Sequence, residues 1–282
     1  MESAAQHLAL FFKIKEVENM KSKEISGHTL KTLEWDDFVQ PLQPGYSISV
    51  YNQDQGPGTM GGFIYSPLLK RYYILSNAHV LTLNPFLANA QSQVVQPRMG
   101  DIDARIVSST VTYTQFQAEP AINTLDAGIA LIDTSTLGVP KPIYSDFRNI
   151  TTITGVRNPV VGEQAVLASF KWNQISNVNA INLNNQVITG INPHNPAGPH
   201  QAIFNNITEM KHPAAGPASP SGASGAFWIS TVDSRVILLN FSGGDDTVYA
   251  YGIPILSVLT WVQNSLGDQN AGILGPNGAV FT

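Results

Sequence analysis

Arg71-Tyr-Tyr-Ile-Leu75 runs directly into Ser76-Asn-Ala-His79-Val80. Its aromatic and β-branched residues favour an extended, well-packed chain. Similar short runs flank it: Tyr46-Ser-Ile-Ser-Val-Tyr51, Gly61-Gly-Phe-Ile-Tyr65 and Ala104-Arg-Ile-Val107, with Gly, Pro and Asn breaks between them. Beyond residue 150 the texture repeats in Ala165–Ala168, Ala180–Leu183, Gln186–Thr189, Gln201–Phe204, Ala226–Ile229, Val236–Leu239 and Val248–Tyr251. Helical spacing is clear only at Ile255, Val258, Leu259 and Val262, which recur at i, i+3, i+4 and i+7. The pattern predicts an all-β core in two strand-rich halves closed by one C-terminal helix. Residues 267–282 are expected to form a loose or surface-draped tail.

Composition narrows the class. The chain has 282 residues, 43% of them hydrophobic and only 12% charged, about half the usual charged share. Disorder and coiled coils are excluded. A net charge of −5 argues against nucleic acid or an anionic membrane as the main partner. With no cysteine, thiolate chemistry, disulfides and Cys-based zinc sites are ruled out, and neither metal nor cofactor is expected. Leu8–Phe12 is too short for the apolar region of a secretory signal. A cytoplasmic location is therefore the expectation. Residues 1–37 hold twelve of the 35 charged residues, with Leu10, Ile14 and Val17 at helical spacing. That predicts a helix over about 3–23.

Three motifs bear on chemistry. His79 follows the apolar run Tyr73-Ile-Leu75, where a strand end fixes it while leaving it able to face a cleft. Asp126 heads the apolar run Ala127-Gly-Ile-Ala-Leu131, and a carboxylate there must be paired to be buried cheaply. Ser224 lies between Gly222 and Gly225 in Ser221-Gly-Ala-Ser-Gly-Ala226, where glycine lets a ligand approach main-chain N–H groups. Alone, each has a plainer reading: a partly buried His, an Asp at a strand start, a glycine-rich turn. Their order is more specific. All six His precede Ser224, which excludes the α/β-hydrolase order, whereas His79…Asp126…Ser224 is the order of chymotrypsin-type proteases.

With these motifs the sequence resembles trypsin-like serine proteases of the chymotrypsin fold. More narrowly, Pro44-Gly-Tyr-Ser-Ile48, Gly58-Thr-Met-Gly61, Ile74-Leu-Ser-Asn77 and Val95-Gln-Pro97 resemble intracellular proteins related to the plant narrow-leaf protease and its bacterial relatives. The resemblance covers about 44–264 and implies two six-stranded antiparallel β-barrels with a C-terminal helix; the helical spacing before it adds an N-terminal helical arm. Residues 1–43 would be the arm, 44–148 the barrel carrying His79 and Asp126, 149–264 the barrel carrying Ser224 plus the helix, and 265–282 a tail. It further implies an oxyanion hole from the N–H groups of Gly222 and Ser224. Substrate would meet Ala218 and Ser219 at the pocket floor and Phe241, Ser242 and Gly243 along an edge. Two departures stand out. Ala223 replaces the acid that usually precedes the nucleophile, and Ala226 replaces a small hydroxyl residue.

The expected function is an intracellular serine endopeptidase acting on a protein or peptide substrate. A small or apolar P1 residue is expected, because no carboxylate or cation sits at the floor. Restrained activity is a further expectation, by narrow specificity or by a regulatory protein partner acting through residues 1–43, since an undirected protease would digest its own compartment. The alternatives are a non-catalytic binding module of the same fold and an activity limited to esters or self-cleavage.

Overall fold

The computed structural model describes residues 37–51, 56–88, 90, 92–98, 100–101, 103–144, 152–169, 178–191, 200–214, 216–245 and 247–282; for 178–191 and 200 it describes the backbone only. The helix expected over 3–23, and with it the N-terminal arm, lies outside these residues.

Short β-strands dominate. In chain order they are β1 Ser47–Val50, β2 Gly58–Thr59, β3 Gly62–Ser66, β4 Arg71–Ser76, β5 Val94–Gln96 and β6 Arg105–Ser108. There follow β7 Val111–Tyr113, β8 Ile122–Asn123, β9 Gly128–Leu131, β10 Gly155–Val156, β11 Gln164–Ala168 and β12 Val178–Ile191. The last are β13 His200–Lys211, β14 Phe227–Ser230, β15 Arg235–Ser242, β16 Tyr249–Pro254, β17 Gly272–Leu274 and β18 Val280–Phe281.

These strands form three sheets among the described residues, where two of six strands each were expected. One has four strands in the order β2-β1-β5-β6, and one has six in the order β18-β17-β3-β4-β9-β7. The third has eight, running β10-β15-β14-β11-β12-β13-β16 with β8 beside β13. The difference has local causes. Met60–Gly61 interrupts the chain between β2 and β3, and Ser109–Thr110 interrupts it between β6 and β7, so first-half strands divide over two sheets. The eight-stranded sheet gains β8 and β10 as two-residue parallel additions. In addition, β15 pairs with both β14 and β16.

Two of the runs read as separate strands are one. Ala180–Leu183 and Gln186–Thr189 both belong to β12, which spans 14 residues. Its pairing with β13 shifts register between Ala180 and Val187, across Asn182-Leu-Asn-Asn185. Asparagine disfavours regular strands, so the sequence breaks there, and the bulges carry the pairing through.

The core lies on both faces of β3 and β4. Ile64, Tyr73 and Leu75 join a large cluster with Phe227, Trp228 and Leu238. Phe63 and Ile74 point the other way, into a cluster with Tyr46, Ile48 and Met60. This is the two-residue alternation of a strand covered on both sides. The helix Ile255–Leu266 buries Ile255, Val258, Leu259 and Val262, the four residues its periodicity marks, and ends at Gly267 with φ +62°, a left-handed cap that glycine adopts without strain. No helix among the described residues is long and apolar enough to cross a membrane.

The C-terminal segment is not a loose tail. β17 pairs with β3, and Ala271 and Ile273 are fully buried. Asp268, 3% exposed, accepts from Ser66 Oγ at 2.6 Å, Leu68 N at 3.0 Å and Asn270 N at 2.9 Å. The Ser66 hydrogen bond, helped by the two backbone donors, holds its carboxyl below the ordinary value of 3.8. A depressed carboxyl adds stability that is complete above the ordinary value and is lost as pH falls through the folded one. Asp268→Ala is therefore expected to lower the melting temperature at pH 7. The gap from the natural protein should narrow once the pH drops below 3.8, as thermal melts across an acid series would show.

Candidate active site

β4 delivers the first candidate. Asn77 follows it in extended conformation and caps the single helical turn Ala78–Leu81. Ala78, Val80 and Leu81 of that turn are buried, which leaves His79 facing outward with its side chain 25% exposed. Asp126 sits just before β9 and is completely buried. Both of its carboxylate oxygens engage His79: Oδ2 pairs with the ring Nδ1, and Oδ1 accepts the His79 backbone N–H at 3.2 Å. Asn77 Nδ2 donates to the Asp126 carbonyl at 2.8 Å and fixes the acid's backbone. A carboxylate on Nδ1 holds the proton there and turns Nε2 outward as the basic nitrogen. The structure thus brings the predicted His and Asp together.

Ser224 is brought to the same place by other means. Its turn has positive φ at Gly222 (+88°) and Gly225 (+91°). A side chain on Gly225 would meet Ser76 Oγ at 2.0 Å and the Thr59 carbonyl at 2.4 Å, so only glycine fits. The turn is docked by Thr59, whose N–H donates to Ser224 O at 2.8 Å and whose Oγ1 donates to Gly222 O at 2.8 Å. Ser76 Oγ in turn donates to Thr59 O at 2.8 Å. Ser224 Oγ makes a long hydrogen bond to the Phe241 carbonyl, 3.4 Å, while the Phe241 ring meets the His79 ring edge-on at 6.5 Å. Phe241 therefore lies against both candidates. Among the described residues Ser224 Oγ is not hydrogen-bonded to His79.

The N–H groups around Ser224 divide into two kinds. Ala223 N donates to Pro220 O at 3.1 Å and Gly225 N to Asn240 O at 2.9 Å. The N–H groups of Gly222 and Ser224 make no hydrogen bond among the described residues, so both donors remain free for a ligand oxygen.

The expected floor and edge also lie close together. Ala218 and Ser219 are buried, and Ala218 N donates to Thr247 O at 3.1 Å. Gly243 rests directly on Ser219: a β-carbon there would meet Ser219 O at 2.6 Å and its Cβ at 2.7 Å. Phe241, 3% exposed, packs on Phe204, and Ser242 ends β15 opposite Tyr251. Asp245 reaches Ser221 N at 2.9 Å and puts a carboxylate at the rim.

Sequence reasoning did not single out Thr59, Ser76 or Asn240 as site residues. Asn240 carried a signal, as the one amide inside the apolar run Val236-Ile-Leu-Leu-Asn-Phe241. Thr59 and Ser76 act through backbone docking, which leaves no pattern in sequence.

No family model matches the chain, and no curated protein matches it. Solved structures do. A glutamic acid-specific serine protease, described as using a histidine triad in substrate binding, is 15% identical with a TM-score of 0.53; the match covers 80% of this chain and 98% of that one. A protease of Nocardiopsis is 13% identical (TM-score 0.49; 80% and 96% covered), and protease A of Thermobifida fusca is 13% identical (0.48; 78% and 95%). The first likeness shows a mostly β fold of the chymotrypsin type.

The docking of the Ser224 turn predicts unequal costs for two glycines with positive φ. Gly225→Ala adds a clash to left-handed strain and is expected to cost at least about 3 kcal/mol. Gly162→Ala, at φ +84° with nothing within 4 Å, is expected to lose only about 1–2 kcal/mol. Urea denaturation of the two variants beside the natural protein reads the difference.

Proposed function

We propose that the chain is a serine endopeptidase that cleaves peptide bonds through an acyl-enzyme. The observation that carries this reading is the buried Asp126 carboxylate with both oxygens on His79, beside a nucleophile turn whose Gly222 and Ser224 N–H groups have no partner among the described residues. A buried carboxylate so arranged serves its histidine: it fixes the tautomer and stabilises the imidazolium. Ser224 Oγ attacks the scissile carbonyl while His79 Nε2 takes its proton, then returns it to the leaving amine. For this step Ser224 Oγ exchanges the Phe241 carbonyl for His79, and the bond it leaves is long and weak. The N–H groups of Gly222 and Ser224 receive the oxyanion, each worth about 10²–10³ in rate. The substrate lies extended along Phe241 to Gly243 as an added strand.

The two-barrel organisation, with 44–148 and 149–264 as its halves, belongs to the same reading. Strands β11 to β16 support it, since each pairs with the next around a ring that β15 and β16 complete. If β2 with β3, and β6 with β7, are each counted as one interrupted strand, β1, β4, β5 and β9 complete a ring in the first half. The narrower kinship with narrow-leaf-type intracellular proteases, and regulation through residues 1–43, rest on sequence alone.

Gly243 lying on Ser219 supports a small P1 residue. A second reading, a non-catalytic binding module, is favoured by one observation, the turn of Ser224 Oγ toward Phe241.

Labelling with a fluorophosphonate decides between the two. The natural protein is expected to label, and Ser224→Ala and His79→Ala to lose the label; a folded natural protein that does not react leaves the binding module. Among peptide anilides with Ala, Phe, Lys or Glu at P1, Ala is expected to lead in kcat/KM by at least about tenfold, the scale on which a pocket rejects added methylenes. A preference for Phe, Lys or Glu would overturn the small-residue preference.

A further inference from the structure

Asn240 is a carboxamide in the middle of an apolar strand, 1% exposed, between buried Leu239 and Phe241. A buried amide is costly unless its hydrogen bonds are made. Here they are. Trp228 Nε1 donates to Asn240 Oδ1 at 3.0 Å. Asn240 Nδ2 donates to the Ala223 carbonyl at 3.0 Å and to Ser219 Oγ at 2.8 Å; the same carbonyl also accepts from Ala226 N at 3.0 Å, so the carboxamide is its one side-chain donor among the described residues. The indole is donor-only, so it sets which end of the amide faces it and turns Nδ2 toward the Ser224 turn. The main chain of Asn240 grips the same turn: its N–H donates to Ala226 O at 2.8 Å, and its carbonyl accepts from Gly225 N at 2.9 Å.

The Ala223 carbonyl shares a peptide plane with the Ser224 N–H. A trans peptide points its C=O and N–H in opposite directions. A donor that holds the carbonyl from inside therefore aims the N–H outward. Thr59 holds the carbonyls on either side, Gly222 O and Ser224 O. Three successive carbonyls are thus anchored in the protein, and among the described residues the N–H groups of Gly222 and Ser224 stay unbonded. Ala223 itself contributes no charged or polar side chain.

We propose that Asn240 is the positioning residue of the oxyanion loop: its carboxamide, fixed by Trp228, holds the Ala223–Ser224 peptide so that the Ser224 N–H faces the reacting carbonyl. The latch is made of neutral groups and is assembled by the fold, so the loop is in place without a charged side chain at 223. Its second bond, to Ser219, ties the pocket floor to the same amide. This inference rests on the endopeptidase reading.

Asn240→Asp keeps the shape and the acceptor for Trp228 but replaces the side-chain donor to the Ala223 carbonyl, leaving only the Ala226 N–H on it among the described residues. Asn240→Leu removes every side-chain bond at similar size. With an activated ester, each variant is expected to lose about 10²–10³ in kcat, the loss typical of one oxyanion donor, with KM changed by no more than about threefold, because the interaction is made in the transition state. Fluorophosphonate labelling should slow in parallel, and thermal melts should show a folded protein. Unchanged kcat per reactive serine in a folded variant, even one that melts lower, overturns the proposal and leaves the endopeptidase reading standing. A natural protein whose Ser224 does not react overturns both. Should neither variant fold, scalar coupling across the hydrogen bond from Asn240 Nδ2 to the Ala223 carbonyl, measured by NMR in the natural protein, is the second test. Its presence is the expected result, and its absence overturns the latch.

Discussion

The contact on which the site depends is a backbone one: Gly225, without a side chain, lying against the Thr59 carbonyl and the Ser76 hydroxyl. Thr59 is in β2 and Ser76 ends β4, the strand that leads to His79, whereas Gly225 follows Ser224 on a segment remote in sequence. The close approach lets Thr59 donate to the carbonyls of both Gly222 and Ser224. Ser76 then holds the Thr59 carbonyl, so the element that positions His79 also braces the element that carries Ser224. Gly61 extends the contact, since a β-carbon there would lie 2.1 Å from the Gly225 carbonyl. Close packing transmits sub-ångström shifts, and at this seam any shift would move Ser224 relative to His79.

The second constraint is electrostatic. Asp126 has no exposed surface, and a lone carboxylate in that position would be destabilising by several kcal/mol. Its partners account for the placement: the His79 ring and backbone N–H on its two oxygens, and Asn77 on its carbonyl. The pair is weak evidence for stability, because desolvation offsets much of the attraction. It is strong evidence for orientation, because it leaves the imidazole one freedom, the exposure of its far edge.

What could be read from the sequence divides along physical lines. The strand texture, the C-terminal helix and its four buried residues rest on local periodicity, and local periodicity survives into the fold. The His79–Asp126 association was legible because a carboxylate heading an apolar run needs a partner. The division into three sheets was not legible, since it depends on two-residue interruptions at Met60–Gly61 and Ser109–Thr110 that propensity does not resolve. The fate of residues 267–282 was hidden as well. Gly272–Leu274 is too short to show alternation, and its anchor is an aspartate, Asp268, whose partner Ser66 is 202 residues away. Thr59 was invisible for the same reason: its role is a relation between backbones, set only once the chain has folded.

Ala223 and Asn240 make sense only together. An acid at 223, where the side chain is now fully buried, would need a cation in the interior to stay ionised, and the neutral amide of Asn240 has no charge to offer it. Alanine removes that demand and leaves the loop without an ionic anchor. The carboxamide supplies a different one, gripping the Ala223 carbonyl instead of the side chain. Because Trp228 fixes the amide from the core side, the anchor draws on the rigidity of β14 and β15, which are buried along most of their length. Alanine at 223 and a buried, fully bonded asparagine at 240 are thus two halves of one arrangement, in which the geometry around Ser224 is maintained by hydrogen bonds that form with the fold.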